Sequence, residues 1–145
     1  MDNHQGALGF HIRELSILLS RKIDHEAIQN DIENISHPQA MVIHFISRNH
    51  LREIHQKDIE EELSIRKPTA SQLLDRMEKS GLVERRVSSK DKRRNQIILT
   101  DKAIDSVKQI KHVLKDIEKT LQQDLTEDEI ATFLQVVEKM KKNIQ

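Results

Sequence analysis

The sequence predicts a mainly α protein with one small β-hairpin. Three observations carry the prediction. Apolar residues recur at three- and four-residue steps over most of the 145 residues, the spacing of one helix face. Only 82–87 and 96–100 switch to short β-prone runs, and they flank the polar, very basic stretch 88–95 as the strands of a hairpin flank a long tip. Three Gly and two Pro are too few for a turn-rich all-β sandwich.

The elements follow in order. Residues 7–33 read as a helix, with Leu8, Ile12, Leu15, Leu18, Leu19 and Ile23 as an apolar stripe that Ile28 and Ile32 continue less cleanly. Ser36 stands three residues before Gln39, with Pro38 in the first turn, which is a capping-box pattern. The helix it starts is apolar nearly all round (Met41, Val42, Ile43, Phe45, Ile46), as a central buried helix is. Residues 48–54 read as a polar connection, and 55–63 as a short helix turned inward at Ile59 and Leu63. Residues 67–80 form the next helix, with Pro68 where no backbone donor is needed and Ala70, Leu73, Leu74 and Met77 inward. Gly81 caps its end. After the hairpin, Thr100 is the N-cap of a helix whose Val107, Ile110, Leu114, Ile117 and Leu121 step as a short coiled-coil seam does. Thr126 and Glu129 form another capping box, and the last helix is expected to bury Ile130, Phe133, Leu134, Val137, Met140 and Ile144.

Composition excludes several functions. Without Cys there is no disulfide scaffold, no Cys-based zinc module and no thiol chemistry. No apolar run approaches the roughly 20 residues of a membrane span, and no secretory start is present, so a soluble, cytoplasmic chain is expected. A glycine-rich phosphate loop and a nucleophile elbow are both missing, which argues against an enzyme. No two of the eight His lie three or four apart, so no metal site is assigned and no cofactor is expected. With only three aromatic residues, all Phe and all in helical stretches, there is no stacking platform for RNA.

Zero net charge conceals an asymmetry. Residues 1–65 carry 6 basic and 11 acidic side chains, 66–94 carry 10 and 4, and 95–145 carry 8 and 9. The net +6 falls on the stretch holding the second short helix and the hairpin, a footprint for nucleic acid or another anionic surface.

Two short helices about three residues apart, followed by a basic hairpin, make a winged helix-turn-helix. In such a module the second helix enters the major groove and the first crosses the backbone. Lys67, Thr69, Ser71, Gln72 and Arg76 are the outward donors of the second helix, and Gln addresses adenine bidentately. Arg66, Lys90, Lys92, Arg93 and Arg94 are the phosphate-neutralising candidates, the hairpin tip reaching an adjacent minor groove. Asp91, the one acid of the tip, reads as an internal partner that shapes it.

The stretch 56–100 resembles the MarR family of winged helix-turn-helix regulators. The residues that carry the resemblance are Q-K-D-I-E-E-E-L, then P-T-A-S-Q-L-L-D-R-M-E-K-S-G-L-V-E-R, then D-K-R-R ahead of I-I-L-T. They match in order and spacing the family's Leu-Glu-x-x-Gly-Leu-Val-x-Arg, Asp-x-Arg and Leu-Thr, with Met77 in place of the first Leu. The flanking helices fit as well. The resemblance implies a homodimer built by the terminal helices that binds a pseudo-palindromic double-stranded DNA operator. It implies a single domain over 1–145, with 1–35 and 101–145 as dimerisation helices and 36–100 as the DNA-binding region. It places Pro68, Thr69, Ser71 and Gln72 at the major groove, Arg93 in the minor groove, and Asp91 as the acid that holds Arg93. It also implies a repressor released by a small lipophilic or aromatic effector bound between the dimer and DNA-binding regions. For that effector His11, Leu15, His44 and Phe45 are the candidate lining, in a crevice between the first, second and fifth helices.

The chain departs from the pattern at Glu60, where many members have Ala, and at Ala103, where Gly is frequent. The lack of Cys excludes thiol-based peroxide sensing. From the charge balance and the helical ends alone, a helical dimeric adaptor module without DNA binding is the alternative.

Overall fold

The computed structural model describes residues 6–32 and 34–145. Its elements are α1 (Leu8–Gln29), α2 (His37–Arg48), α3 (Gln56–Leu63), α4 (Lys67–Lys79), β1 (Val83–Val87), β2 (Asn95–Leu99), α5 (Asp101–Leu121) and α6 (Glu127–Ile144). They form two compact units, one ending at Val113 and one running from Leu114 to Gln145.

In the first unit α2 is the central helix. It packs against α1, α3, α4 and β2, and its Val42 and Ile43 are fully buried. Ile59, Ala70, Leu74, Met77, Leu82 and Val83 complete the core, so α3, α4 and β1 each turn one face to α2 or to each other. The hairpin is antiparallel, pairing Val83 with Leu99, Arg85 with Ile97 and Val87 with Asn95.

Local chemistry fixes the helix ends. The Gln39 amide donates to Ser36 Oγ at 3.3 Å and the Ser36 amide to Gln39 Oε1 at 3.1 Å, closing the first capping box. The pair at Thr126 and Glu129 closes in the same way, at 3.1 and 2.9 Å. At the end of α4, Gly81 sits at φ 74°, and the Leu82 amide reaches back to Met77 O at 2.8 Å in a Schellman turn. The same turn ends α3, but Ser64 fills the left-handed position at φ 53°, with the Ile65 amide on Glu60 O at 3.0 Å. That sharp reversal is the turn of the helix-turn-helix.

Several expectations are corrected. The first helix stops at Gln29, not near 33. Asp31 takes φ 58° and the Ile32 amide closes onto Ala27 O at 2.9 Å, so Ile32 folds back into the core while Ile28 is left 69% exposed. The first of the two short helices begins at Gln56, with His55 as its N-cap, and the second ends at Lys79. The connection before α3 is more than polar. Ile54 is buried, its carbonyl accepts from the Ile97 amide at 2.7 Å, and His55 forms a β-bridge with Gln96. On α5 the buried residues are Ala103, Ile110, Val113 and Ile117; of the other seam positions, Val107 and Leu114 are half-buried and Leu121 is exposed within one chain. On α6 no residue is buried within one chain: Phe133 is 57% and Ile144 86% exposed. The one-sided apolar pattern is there, but a helix face stays in water until another surface covers it. None of the described helices is long and apolar enough to cross a membrane.

Candidate nucleic-acid interface

The 3.6-residue period of α4 sorts its side chains. Ala70, Leu74 and Met77 are fully buried, which leaves Lys67, Pro68, Thr69, Gln72 and Arg76 exposed together with the N-cap Arg66. Ser71 is half-buried, between the two faces.

Both ends of α4 are tied down. Near its C-terminal half Asp75 Oδ1 accepts from Arg85 Nη1 of β1 at 2.7 Å. Beyond it, Thr100 Oγ1 donates to Gly81 O at 2.6 Å and Lys102 Nζ to Ser80 O at 3.0 Å, which satisfies carbonyls that a helix end leaves without partners. At its start Gln56 Nε2 donates to Lys67 O at 3.4 Å. Glu60 lies at the same crossing and accepts from Gln56 Nε2 at 3.5 Å.

The hairpin tip is ordered by side chains. Asp91 Oδ1 accepts from the Arg93 amide at 3.0 Å and from Arg93 Nε at 3.2 Å. Arg93 Nη2 reaches Asp91 Oδ2 at 3.4 Å. The Arg93 side chain nevertheless stays 91% exposed, and its hydrogen bonds hold the Asp91 carboxyl below the usual range. Lys90, Lys92 and Arg94 are exposed around it. The Arg94 amide donates to Asp91 O and the Ser88 amide to Arg94 O, closing the tip on itself.

Sequence reasoning missed the residue that fastens this tip. Glu53, in the connection before α3, accepts from Ser88 Oγ, from Ser89 Oγ and from the Ser89 amide at 3.0 Å. His55 Nε2 lies 3.2 Å from the same carboxylate. The two serine hydroxyls, more than any other influence, lower the Glu53 carboxyl to about 2. Ser88 Oγ also accepts from the Lys90 and Asp91 amides. A contact made across 35 positions leaves no periodic trace in a sequence.

The candidate effector residues divide. His44 and Phe45 line a hollow of about 730 Å3 with Arg48, Glu62, Val107 and Lys111. His11 and Leu15 are exposed on α1 and do not line it. His44 Nδ1 is buried without a hydrogen-bond partner, and burial first, then Arg48 and Lys111, lowers its pKa. A neighbouring hollow of about 670 Å3 is walled by Ile46, Ile54, Ile98, Ile104 and Val107 and also reached by Lys111. Among the described residues no three His, Cys, Asp or Glu gather as metal ligands would.

A sequence model of the MarR family matches residues 33–94. The transcription regulator MarR from Oenococcus oeni PSU-1 is similar at 30% identity and TM-score 0.80, over 93% of this chain and 98% of that one. MepR of S. aureus, solved as a DNA complex, is similar at 26% identity and TM-score 0.86, over 99% of this chain and 100% of that one. The heme sensor protein PefR from Streptococcus agalactiae, solved with heme, is similar at 28% identity and TM-score 0.67, over 99% and 95%.

Proposed function

The chain belongs to the MarR family of transcription regulators, and from that membership we propose that it works as a cytoplasmic homodimer that represses transcription by occupying pseudo-palindromic duplex DNA. The observation that carries this reading is a continuous cationic surface: Lys67 at the start of α4 and Arg93 and Arg94 of the tip line one hollow. The outward donors of α4, Thr69, Gln72 and Arg76, extend from that surface and suit base edges. Ser71 is half-covered and fits a backbone contact better than a base contact. In the same reading Arg66, Lys90, Lys92 and Arg94 neutralise phosphates, and Arg93, aimed by Asp91, enters the minor groove.

Residues 36–100 form the DNA-binding region of this reading, with 1–35 and 101–145 serving dimerisation. The uncovered apolar faces of α1 (Leu8, Ile12, Leu15, Leu18) and α6 (Phe133, Leu134, Ile144) support a second copy as what covers them. Two copies then present two recognition helices to half-sites about one helical turn, ~10 bp, apart. The S. aureus relative solved with DNA supports the nucleic-acid partner.

Release by a small lipophilic or aromatic molecule completes the proposal. The two hollows beside α2 and α5 are its seats, with apolar walls and basic groups at Arg48, Lys108 and Lys111.

Selection of bound fragments from sheared genomic DNA, followed by fluorescence anisotropy on the recovered duplex, tests the reading. A two-half-site footprint bound by a dimer is expected. Failure to retain any duplex at low salt returns the chain to the adaptor alternative.

A further inference from the structure

We propose that Glu53 is a positioning residue of the DNA-reading surface: by way of Ser88 and Asp91 it sets the direction in which Arg93 leaves the tip, and with it how sharply the chain tells narrow minor grooves from wide ones. The inference rests on the proposed DNA-binding reading, to which it adds a residue outside the contact surface.

The tip needs an outside reference. The strand ladder ends at the pair Val87 and Asn95, and residues 88–94 lie beyond it. The bonds of Arg93 to Asp91 fix the arginine relative to the tip, not the tip relative to α4. A two-stranded hairpin is marginally stable by itself, so its end needs a second attachment.

Ser88 supplies that attachment. It is the one buried polar residue among those described, at 4% exposure. A serine hydroxyl has one hydrogen to give and two lone pairs to offer, and here all are used. The hydrogen goes to Glu53 Oε2. The lone pairs accept from the Lys90 amide at 3.1 Å and the Asp91 amide at 3.3 Å. Asp91 in turn accepts from the Arg93 amide at 3.0 Å and from Arg93 Nε at 3.2 Å. An unbroken relay of hydrogen bonds therefore runs from the connection before α3 to Arg93.

The far end of the relay is fixed. Glu53 precedes Ile54, which is buried and accepts from the Ile97 amide at 2.7 Å. Glu53 Oε1 holds the Ser89 amide at 3.0 Å and the Ser89 hydroxyl. His55 Nε2, at the start of α3, lies 3.2 Å from Oε2.

Charge matters here beyond shape. An ionised carboxylate only accepts, so the Ser88 hydrogen must turn toward it and both lone pairs are left to the tip amides. A carboxamide in its place also donates, and competes with Lys90 and Asp91 for those lone pairs. Glu53→Gln therefore scrambles the relay with little change of volume.

The test uses the full-length chain and its selected duplex, in one form with an A/T-rich minor groove at the wing contact and in another with G/C there. Anisotropy titrations compare the parent, Glu53→Gln, Arg93→Ala and the double variant. Glu53→Gln alone is expected to weaken the A/T-rich duplex about fivefold and the G/C form less. Added to Arg93→Ala it brings no further loss, because no arginine remains to be aimed. Ser89→Ala, which removes one exposed bond to the same carboxylate, gives a smaller loss in the same sense. In nitrogen-resolved NMR spectra Glu53→Gln shifts the Ser89, Lys90 and Asp91 amides and leaves those of the core residues Ile43 and Leu74 in place. Equal loss in both Arg93 backgrounds, or no loss for Glu53→Gln, overturns the inference and leaves the DNA-binding reading standing. If Arg93→Ala binds as the parent does, the minor-groove reading fails and the inference falls with it.

Discussion

Glu53 and Ser88 are joined by a hydrogen bond that spans 35 positions of sequence and fastens the basic tip to the connection before α3. Without it the tip would depend on its own short-range bonds, Asp91 to Arg93 and Ser88 to Arg94. The carboxylate also faces His55, so tip, connection and α3 start share one polar junction.

The junction makes stability depend on acid. The folded-state pKa of Glu53 is depressed to about 2, against an ordinary value of 4.5. A depressed carboxyl contributes stability that is present above its unfolded pKa and is lost as pH falls through the folded one. Thermal unfolding of Glu53→Gln is therefore expected to fall less steeply than the parent between about pH 4.5 and 2, and to start lower at pH 7. Parallel melting curves over that window would show that the carboxylate is not what the tip leans on.

Arg93→Ala is expected to weaken binding by about 1–3 kcal/mol, most on duplexes with narrow, A/T-rich minor grooves. Asp91→Asn should weaken it less, because the arginine remains but is no longer aimed. Changing Gln72 should shift base preference at one position in each half-site. Anisotropy titrations and selection from random duplexes read these effects. Equal loss on all duplexes for Gln72 would move it to the backbone.

Ser64 occupies a left-handed position that costs a residue with a Cβ about 1–2 kcal/mol. Ser64→Gly removes that cost and returns part of it as unfolded-chain entropy. A net gain of about 0.5–1 kcal/mol in urea unfolding is the expected outcome, with DNA affinity unchanged.

Phe133 lies on the uncovered face of α6. Phe133→Asp puts a charge where the proposed partner copy packs. Sedimentation equilibrium should show a shift toward monomer and a loss of two-half-site binding, with α-helical circular dichroism retained. An unshifted dimer would place the interface elsewhere.

The sequence made the helix-turn-helix legible because its punctuation is local. Ser36 with Gln39, Pro68, Gly81, Thr100, and Thr126 with Glu129 each signal a boundary within four residues, and the structure uses every one. The end of α1 carries no glycine signal, because Asp31 takes the left-handed turn instead. Glu53 and the strand-like Ile54 were hidden because their partners lie on the hairpin, far along the chain. The stripe on α6 was visible, but a stripe does not name what covers it. Ser71 looked like a surface donor because its neighbours Thr69 and Gln72 are, yet it sits one step nearer the core.

The bonds from Thr100 to Gly81 and from Lys102 to Ser80 couple two helices that follow each other through the hairpin. The start of α5 is thereby fastened to the end of α4 directly, across the hairpin that separates them in sequence. In the proposed function, a molecule seated beside α5 would have a route to α4 that does not require touching it.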